Sequence, residues 1–518
     1  MLQNITKWVV VMFENRSFDN LLGHLPHIPA DHGIRDRDIE LPYPGGVVKV
    51  APATDYTSPC PDPGEGFGNT NAQLWNTYIP ESNRGKSPYP IFPNTMENPQ
   101  NVPSPITTPT MDGFALDYYW NFVWQKERKP TDEEMQQIGK VYTPETAPVI
   151  NALASEYAVF TQWFCEAPTC TYPNRSFFHC GTSMGHLDND NLVSYAWKLK
   201  ARNLFDLLTE KGVDWKAYYA KDQVVPDASI NLAGLRSFNM WRTHSEYRED
   251  FFIDAANGTL PTYSWVEPKM MFGDMDDYHP PHDVRAGEKF LASVYNAVRQ
   301  GPDWESTALI VTFDEHGGTF DHVPPPATVT PDAYPGDFGF EFDRLGVRVP
   351  TIVISPYTKR GTVITDQFQA TSVLRTMRER FDLGPPLTCR DTDAPLLTPA
   401  FNLRQPRTDC LAEIELPEYE YVKPTKAEKE ASFGDVPDPD LLLHKIKAEK
   451  TEQISQLGEA TLRNVADLLH IDPSEIPTTA AGAQEWLTDL VSSRRLANLK
   501  VPTLEDIRSY LPHRGRPE

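Results

Sequence analysis

Four short segments of this 518-residue chain gather residue types that can do chemistry together. Glu14-Asn15-Arg16-Ser17-Phe18-Asp19 sets a carboxylate beside an amide oxygen, two hard ligands for a cation; the same residues also suit a capped turn in which Asn15 or Ser17 starts a helix. Asp314-Glu315-His316-Gly317-Gly318-Thr319-Phe320-Asp321-His322 crowds carboxylates and imidazoles around a Gly-Gly pair that lets backbone approach closely, with a solvated charged turn as the plain alternative. Cys170-Thr171-Tyr172-Pro173-Asn174-Arg175 offers the Thr171 hydroxyl, which becomes a nucleophile where a cation lowers its pKa, or else a Pro-containing turn before a helix. His279-Pro280-Pro281-His282-Asp283 holds a histidine in a Pro-braced loop, where it suits a site and a structural role equally.

The first two segments directly follow apolar runs, Lys7 to Phe13 and Ala308 to Phe313; Val349 to Ser355 is a third such run. Short, nearly continuous apolar runs predict strands buried on both faces, as in a parallel sheet covered by helices. Gly287 to Arg299 carries apolar residues at 290, 291, 294, 295 and 298, and Thr371 to Phe381 at 373, 374, 377 and 381, both at helical spacing. Strands alternating with helices predict an α/β core with a mostly parallel sheet, and in such sheets ligands bind at the carboxyl ends of the strands. Residues 25–135, rich in Pro, Gly, Asp and Asn, are too long for a simple loop and predict a loop-rich lid or cap. Residues 325–350 read as loop. The composition shifts near 417, which predicts a linker over 417–435 and a small helical appendage over 436–518 that packs against the rest or joins copies into a homo-oligomer.

Composition narrows the function. With 48 Lys and Arg against 72 Asp and Glu, the formal charge is −24, which excludes the simplest nucleic-acid reading and disfavours electrostatic docking on an anionic membrane. An acidic protein still handles a phosphate ester where a metal cation supplies the positive charge. The 48 prolines, against a usual share of about 5%, predict much ordered loop. Six cysteines with no CxxC pair are neither a disulfide scaffold nor a thiolate zinc site, although one bridge, Cys389 to Cys410, stays open. No stretch approaches the ~20 apolar residues of a membrane span. The N-terminal run is short, lacks a small-residue cleavage site and leads straight into Glu14, so it reads as a strand and predicts a cytoplasmic protein, or a secreted or periplasmic one if a leader has been removed.

In order along the chain, the segments resemble the phosphoesterase family of non-specific phospholipases C and acid phosphatases, within the alkaline-phosphatase-like superfamily. The resemblance is carried by Glu14 to Asp19; Met111-Asp112-Gly113-Phe114; Thr171 to Arg175 with Gly181-Thr182-Ser183; His279-Pro280 with Gly287-Glu288; Asp314-Glu315 with Gly317-Gly318 and Asp321-His322-Val323; and Arg348-Val349-Pro350 with Ile354-Ser355-Pro356. It spans residues 8–395 and says nothing of 436–518. Thr171-x-Pro173-x-Arg175 also resembles the nucleophile segment of sulfatases, but Thr cannot become the formylglycine they use. The resemblance implies an alkaline-phosphatase-like core, a catalytic domain over 1–416 and metal-assisted phosphoryl transfer through a phosphothreonine. Thr171 matches the nucleophile; Glu14, Asn15 and Asp314 match metal ligands, with Glu315 a further candidate. Asn174 and Glu65 fall to substrate binding, and His279 and His322 bind the phosphoryl oxygens or protonate the leaving group. Oxygen ligands suit Mg²⁺, Ca²⁺ or Mn²⁺, and a histidine ligand draws toward Zn²⁺.

Two departures stand out. Where family members often carry Asp-Pro-x-His, this chain reads Asp62-Pro63-Gly64-Glu65. A carboxylate at 65 can ligate a metal and repels a phosphate dianion, which favours a diester substrate. Gln369-Ala370-Thr371-Ser372 lacks the acidic residue and His that often precede Thr-Ser. The leading expectation is a phospholipase C that splits phosphatidylcholine-like lipids into diacylglycerol and a phosphorylated head group. The aromatics of the lid (Trp75, Tyr78, Tyr118, Tyr119, Trp120, Phe122, Trp124) would contact acyl chains or choline, unless they are ordinary core. Alternatives are an acid phosphatase for monoesters, a soluble phosphodiesterase and a non-catalytic binding protein.

Overall fold

Strand Lys7–Phe13 lies in the interior of an eight-stranded sheet in the computed structural model, which describes residues 2–87, 95–97, 100–189, 201–220, 244–270 and 274–421. In chain order its strands are β1 (Lys7–Phe13), β2 (Ala158–Phe160), β3 (Trp215–Tyr219), β4 (Ser245–Tyr247), β5 (Tyr263–Val266), β6 (Thr307–Phe313), β7 (Thr351–Ile354) and β8 (Thr362–Ile364). Their spatial order is β8-β2-β7-β6-β1-β5-β3-β4. Only β7 runs against its neighbours, β6 and β2; every other pair is parallel. All of β6, and all of β1 after Lys7, is buried, as strands covered on both faces must be.

Ring contacts fix the two layers of helices. Phe13 meets Phe290 of the helix Val284–Gln300, with ring centroids 6.0 Å apart. Trp265, level with Val10 in the sheet, meets Phe178 and His179 of the helix Thr171–Cys180 at 5.3 and 4.7 Å. Positions 10 and 13 of a strand face opposite ways, so these helices cover opposite faces. The helix predicted to begin at Gly287 begins at Val284, because the Asp283 side chain accepts the Arg285 N–H and caps it. The predicted helix Thr371–Phe381 is present with those bounds. The run from Val349 is strand only over Thr351–Ile354.

Residues 25–135 contain a hairpin (Glu40–Tyr43 with Gly46–Lys49) and the helices Phe67–Trp75 and Phe114–Lys126. Their apolar side chains form a second cluster, joined by Ile138, Val141, Phe320 and Val347, in which Trp75, Tyr118, Tyr119 and Phe122 are buried. Tyr78 is buried in an adjoining cluster. These aromatics are therefore core, and only Trp120 and Trp124 of the set are half-buried. Residues 325–350 are largely loop. The Cys389–Cys410 bridge does not form: Cys389 is exposed, Cys410 is buried, and both are free thiols. Among the described residues no helix is long and apolar enough to cross a membrane. The chain divides into Met1–Val436 and Pro437–Glu518. The predicted linker beyond 421 and the predicted appendage, with its role in joining copies, lie outside the described residues.

Candidate active site

Register brings the first two segments together. β1 and β6 are parallel neighbours with Phe13 opposite Phe313, so Glu14 and Asp314 leave the same edge of the sheet side by side. The Asn15 N–H donates to Asp314 Oδ1 at 3.2 Å, and the Glu315 N–H donates to the same oxygen at 2.7 Å. Asn15 turns through the left-handed region at φ 53°, a conformation Asn tolerates better than most residues. Gly317, at φ +58°, lies over it; a Cβ there would fall 2.5 Å from the Asn15 carbonyl oxygen. The Gly-Gly signal is thus a close backbone crossing. Ser17 meanwhile caps the helix Phe18–Leu22, so the capped-turn reading and the ligand reading fall on different residues of one segment.

Thr171 opens the helix Thr171–Cys180 and donates its hydroxyl to Glu14 Oε2 at 3.2 Å. A helix N-terminus favours negative charge, here on the Thr171 oxygen. Arg175, one turn on and on the same face, is fully buried. Its Nε donates to Asp314 Oδ2 at 3.1 Å and its Nη2 to Glu14 Oε1. The guanidinium therefore ties together the carboxylates from the two strand ends. The motif alone assigns Arg175 no role, although its spacing of four from Thr171 is the signal that puts the two on one helix face.

Asn174 is not brought to these groups as a substrate contact. Its amide is spent on the loop before Thr171, accepting from the Ala167 N–H at 2.9 Å and donating to the carbonyls of Thr169 at 2.8 Å and Cys170 at 3.1 Å. His322 does not join them either. Its Nδ1 pairs with Asp19 Oδ2 at 2.6 Å and its Nε2 faces the Asp31 carbonyl at 3.0 Å. Beside it Arg348 bridges Asp19 and Asp321, both at 3.0 Å. Burial is the largest influence on His322 and disfavours its charged form, but the Asp19 hydrogen bond and the charges of Asp19 and Asp321 together outweigh it and its pKa rises. That cluster is internally compensated and pins the turn after Gly318.

Glu65 does reach the sheet edge. Its carboxylate accepts the Asn15 side-chain amide and, at 3.3 Å, that of Asn189. Asp62, to which the sequence pattern alone assigns no role, lies beside Glu65 and His279. Burial, and then the charge of Asp314, push the Glu315 carboxyl well above its usual range. Burial lowers His279 to about 4, so its imidazole is neutral at ordinary pH. With its Nδ1 against the Pro280 carbonyl, the Nε2 lone pair remains. His279 thus suits ligation or proton acceptance better than protonation of a leaving group. His316 turns away, its Nε2 meeting Gln73 Oε1 at 2.7 Å and tying the turn to the helix Phe67–Trp75.

Six buried carboxyl groups (Glu14, Asp62, Glu65, Asp277, Asp314, Glu315) thus share one region with the guanidiniums of Arg16 and Arg175. Buried charge of one sign needs compensation. Buried acceptor atoms without a hydrogen-bond partner stand among them: Asn15 Oδ1, Glu315 Oε1 and His279 Nε2. Oxygen donors in excess, unpartnered lone pairs and surplus negative charge fit a divalent cation.

Residues 5–384 match the Phosphoesterase family. The chain is 33% identical over 434 residues to the non-specific phospholipase C1 of Arabidopsis thaliana, covering 79% of this chain and 74% of that one. It is 30% identical over 451 residues to the non-specific phospholipase C6 of the same plant, covering 82% and 78%. Phospholipase C B of Mycobacterium tuberculosis is 32% identical over 316 residues, 53% of this chain and 58% of that one.

Proposed function

The chain belongs to the Phosphoesterase family and is a phosphoric ester hydrolase, and from that premise we propose that it is a phospholipase C with Thr171 as its nucleophile. The observation that carries the reading is the Thr171 hydroxyl, buried at a helix N-terminus and hydrogen-bonded to Glu14, beside the carboxylate pair clamped by Arg175. A divalent cation held by Glu14, Asn15, Asp314 and Glu315 would favour the Thr171 alkoxide and offset charge on the phosphoryl oxygens.

Thr171 Oγ1 gives up its proton and attacks phosphorus in line. A bond forms from Oγ1 to phosphorus and the bond from phosphorus to the diacylglycerol oxygen breaks; that oxygen takes up a proton in place of the one Oγ1 gave up, and diacylglycerol leaves. The head-group phosphate remains esterified to Thr171. Water then attacks phosphorus from the vacated side, the bond from phosphorus to Oγ1 breaks, and the proton lost by the water balances the one taken up by Oγ1, which releases the phosphorylated head group and restores the Thr171 hydroxyl. Arg175 holds Glu14 and Asp314 in place throughout. The surplus of carboxylates favours a diester, with one negative charge, over a monoester dianion.

Phosphorus NMR of the protein with phosphatidylcholine micelles and added divalent cation tests this reading. A phosphocholine resonance that Thr171→Ala abolishes supports it; phosphate released from monoesters alone would replace it with a phosphatase.

A further inference from the structure

Asp62, Glu65 and His279 are buried and each offers one ligand atom, all lying within 4.8 Å of one another. They come from two separate loops, before the helix Phe67–Trp75 and before the helix Val284–Gln300, so no local turn explains their meeting.

Side chains from the sheet edge point into this cluster. Asn15 gives its amide N–H to Glu65, which leaves its Oδ1 beside the cluster, wholly buried and without a hydrogen-bond partner. The Glu315 carboxyl interacts directly with that of Glu65, while its Oε1 is buried without a hydrogen-bond partner. His279 Nε2 is in the same condition. A buried acceptor left without a partner is unfavourable, and two carboxyls in contact repel unless a proton or a cation lies between them. The Arg175 guanidinium is committed to Glu14 and Asp314.

We propose that Asp62, Glu65 and His279, with Glu315 reaching in from the sheet edge, form a second divalent-cation site beside the one at Glu14 and Asp314. The centre then takes two cations, and Glu315 and Asn15 lie between them. Three carboxylates and one imidazole suit Mn²⁺ or Zn²⁺ better than Ca²⁺. The inference rests on the reading of Glu14 and Asp314 as the first cation position.

The test is metal stoichiometry. The full chain is equilibrated with Mn²⁺, freed of excess and analysed for bound metal per chain, alongside Glu65→Gln and Asp62→Asn, each checked for a native melting transition. The wild type is expected to hold two Mn²⁺ and each variant one. One Mn²⁺ or none in the wild type overturns the proposal without recourse to any variant. So do two Mn²⁺ retained by both variants. One Mn²⁺ with full lipid turnover leaves the phospholipase reading intact and removes only the second site; two Mn²⁺ with no turnover of any phosphate ester does the reverse.

Discussion

Thr171 Oγ1 lies 3.2 Å from Glu14 Oε2, across 157 positions of sequence. One residue opens a helix and the other directly follows strand β1, so their meeting is set by the packing of that helix on the sheet. A hydroxyl donating to a buried carboxylate is held ready to lose its proton. Thr171→Ala should lower kcat by about 10³-fold or more, while Thr171→Ser, which keeps the oxygen, retains measurable turnover. Wild-type rates in the alanine variant would remove Thr171 from the chemistry.

Arg175 compensates Glu14 and Asp314 at once. Arg175→Met leaves both carboxylates buried without that guanidinium and should cost about 3–5 kcal/mol in metal-free urea denaturation. Added Mn²⁺ should recover part of the loss in the variant, because a bound cation replaces the missing charge. Unchanged metal-free stability would show that the bridge contributes nothing.

Gly317→Ala separates a collision from a conformational cost. Its Cβ would meet the Asn15 backbone, and its φ of +58° is itself unfavourable for alanine. Displacing Asn15 should lower kcat at least tenfold, with about 1–3 kcal/mol lost in stability. Gly384→Ala, at φ +96° with nothing within 4 Å, is the control: some stability lost, turnover unchanged. Equal turnover in the two variants would contradict the crossing as a positioning device.

Glu288 gives the folded protein a pH dependence of defined sign. Burial raises its carboxyl from 4.5 to about 7, against hydrogen bonds from Tyr278 and from the Val149 and Ile150 N–H groups. A carboxyl raised on folding stabilises below its unfolded pKa, and that stability is lost as pH rises through about 7. The term is on the order of 3 kcal/mol. Glu288→Gln stays neutral, so melting profiles from pH 4.5 to 8 should show the variant gaining on the wild type as pH rises. A constant gap would contradict the sign.

The parts of this arrangement legible in the sequence are those where local pattern and tertiary role coincide. Lys7–Phe13 and the run ending at Phe313 are continuous apolar segments because helices cover both their faces, and chemistry begins at the residue after each. Strands β2, β3, β4, β5 and β8, of three to five residues, carry too little pattern to be read in advance. Asn174 and Arg175 are adjacent in one motif, yet one builds the preceding loop and the other clamps the carboxylates; only the helix phase separates them. His322 looks like part of the Asp314 segment, but the tight turn at Gly317 and Gly318 carries it to Asp19 and Arg348. The aromatics of residues 25–135 form a core because that stretch packs on itself and on Phe320 and Val347, while its contribution to the site comes from the polar residues Asp62 and Glu65.

The most direct test of Thr171 as nucleophile is acid quenching of the enzyme during turnover of phosphatidylcholine, with mass spectrometry of the Thr171 peptide. The expected result is the head-group phosphate esterified to Thr171, absent in Thr171→Ala. Turnover with that peptide unmodified, or with the phosphoryl group on another side chain, would contradict the account.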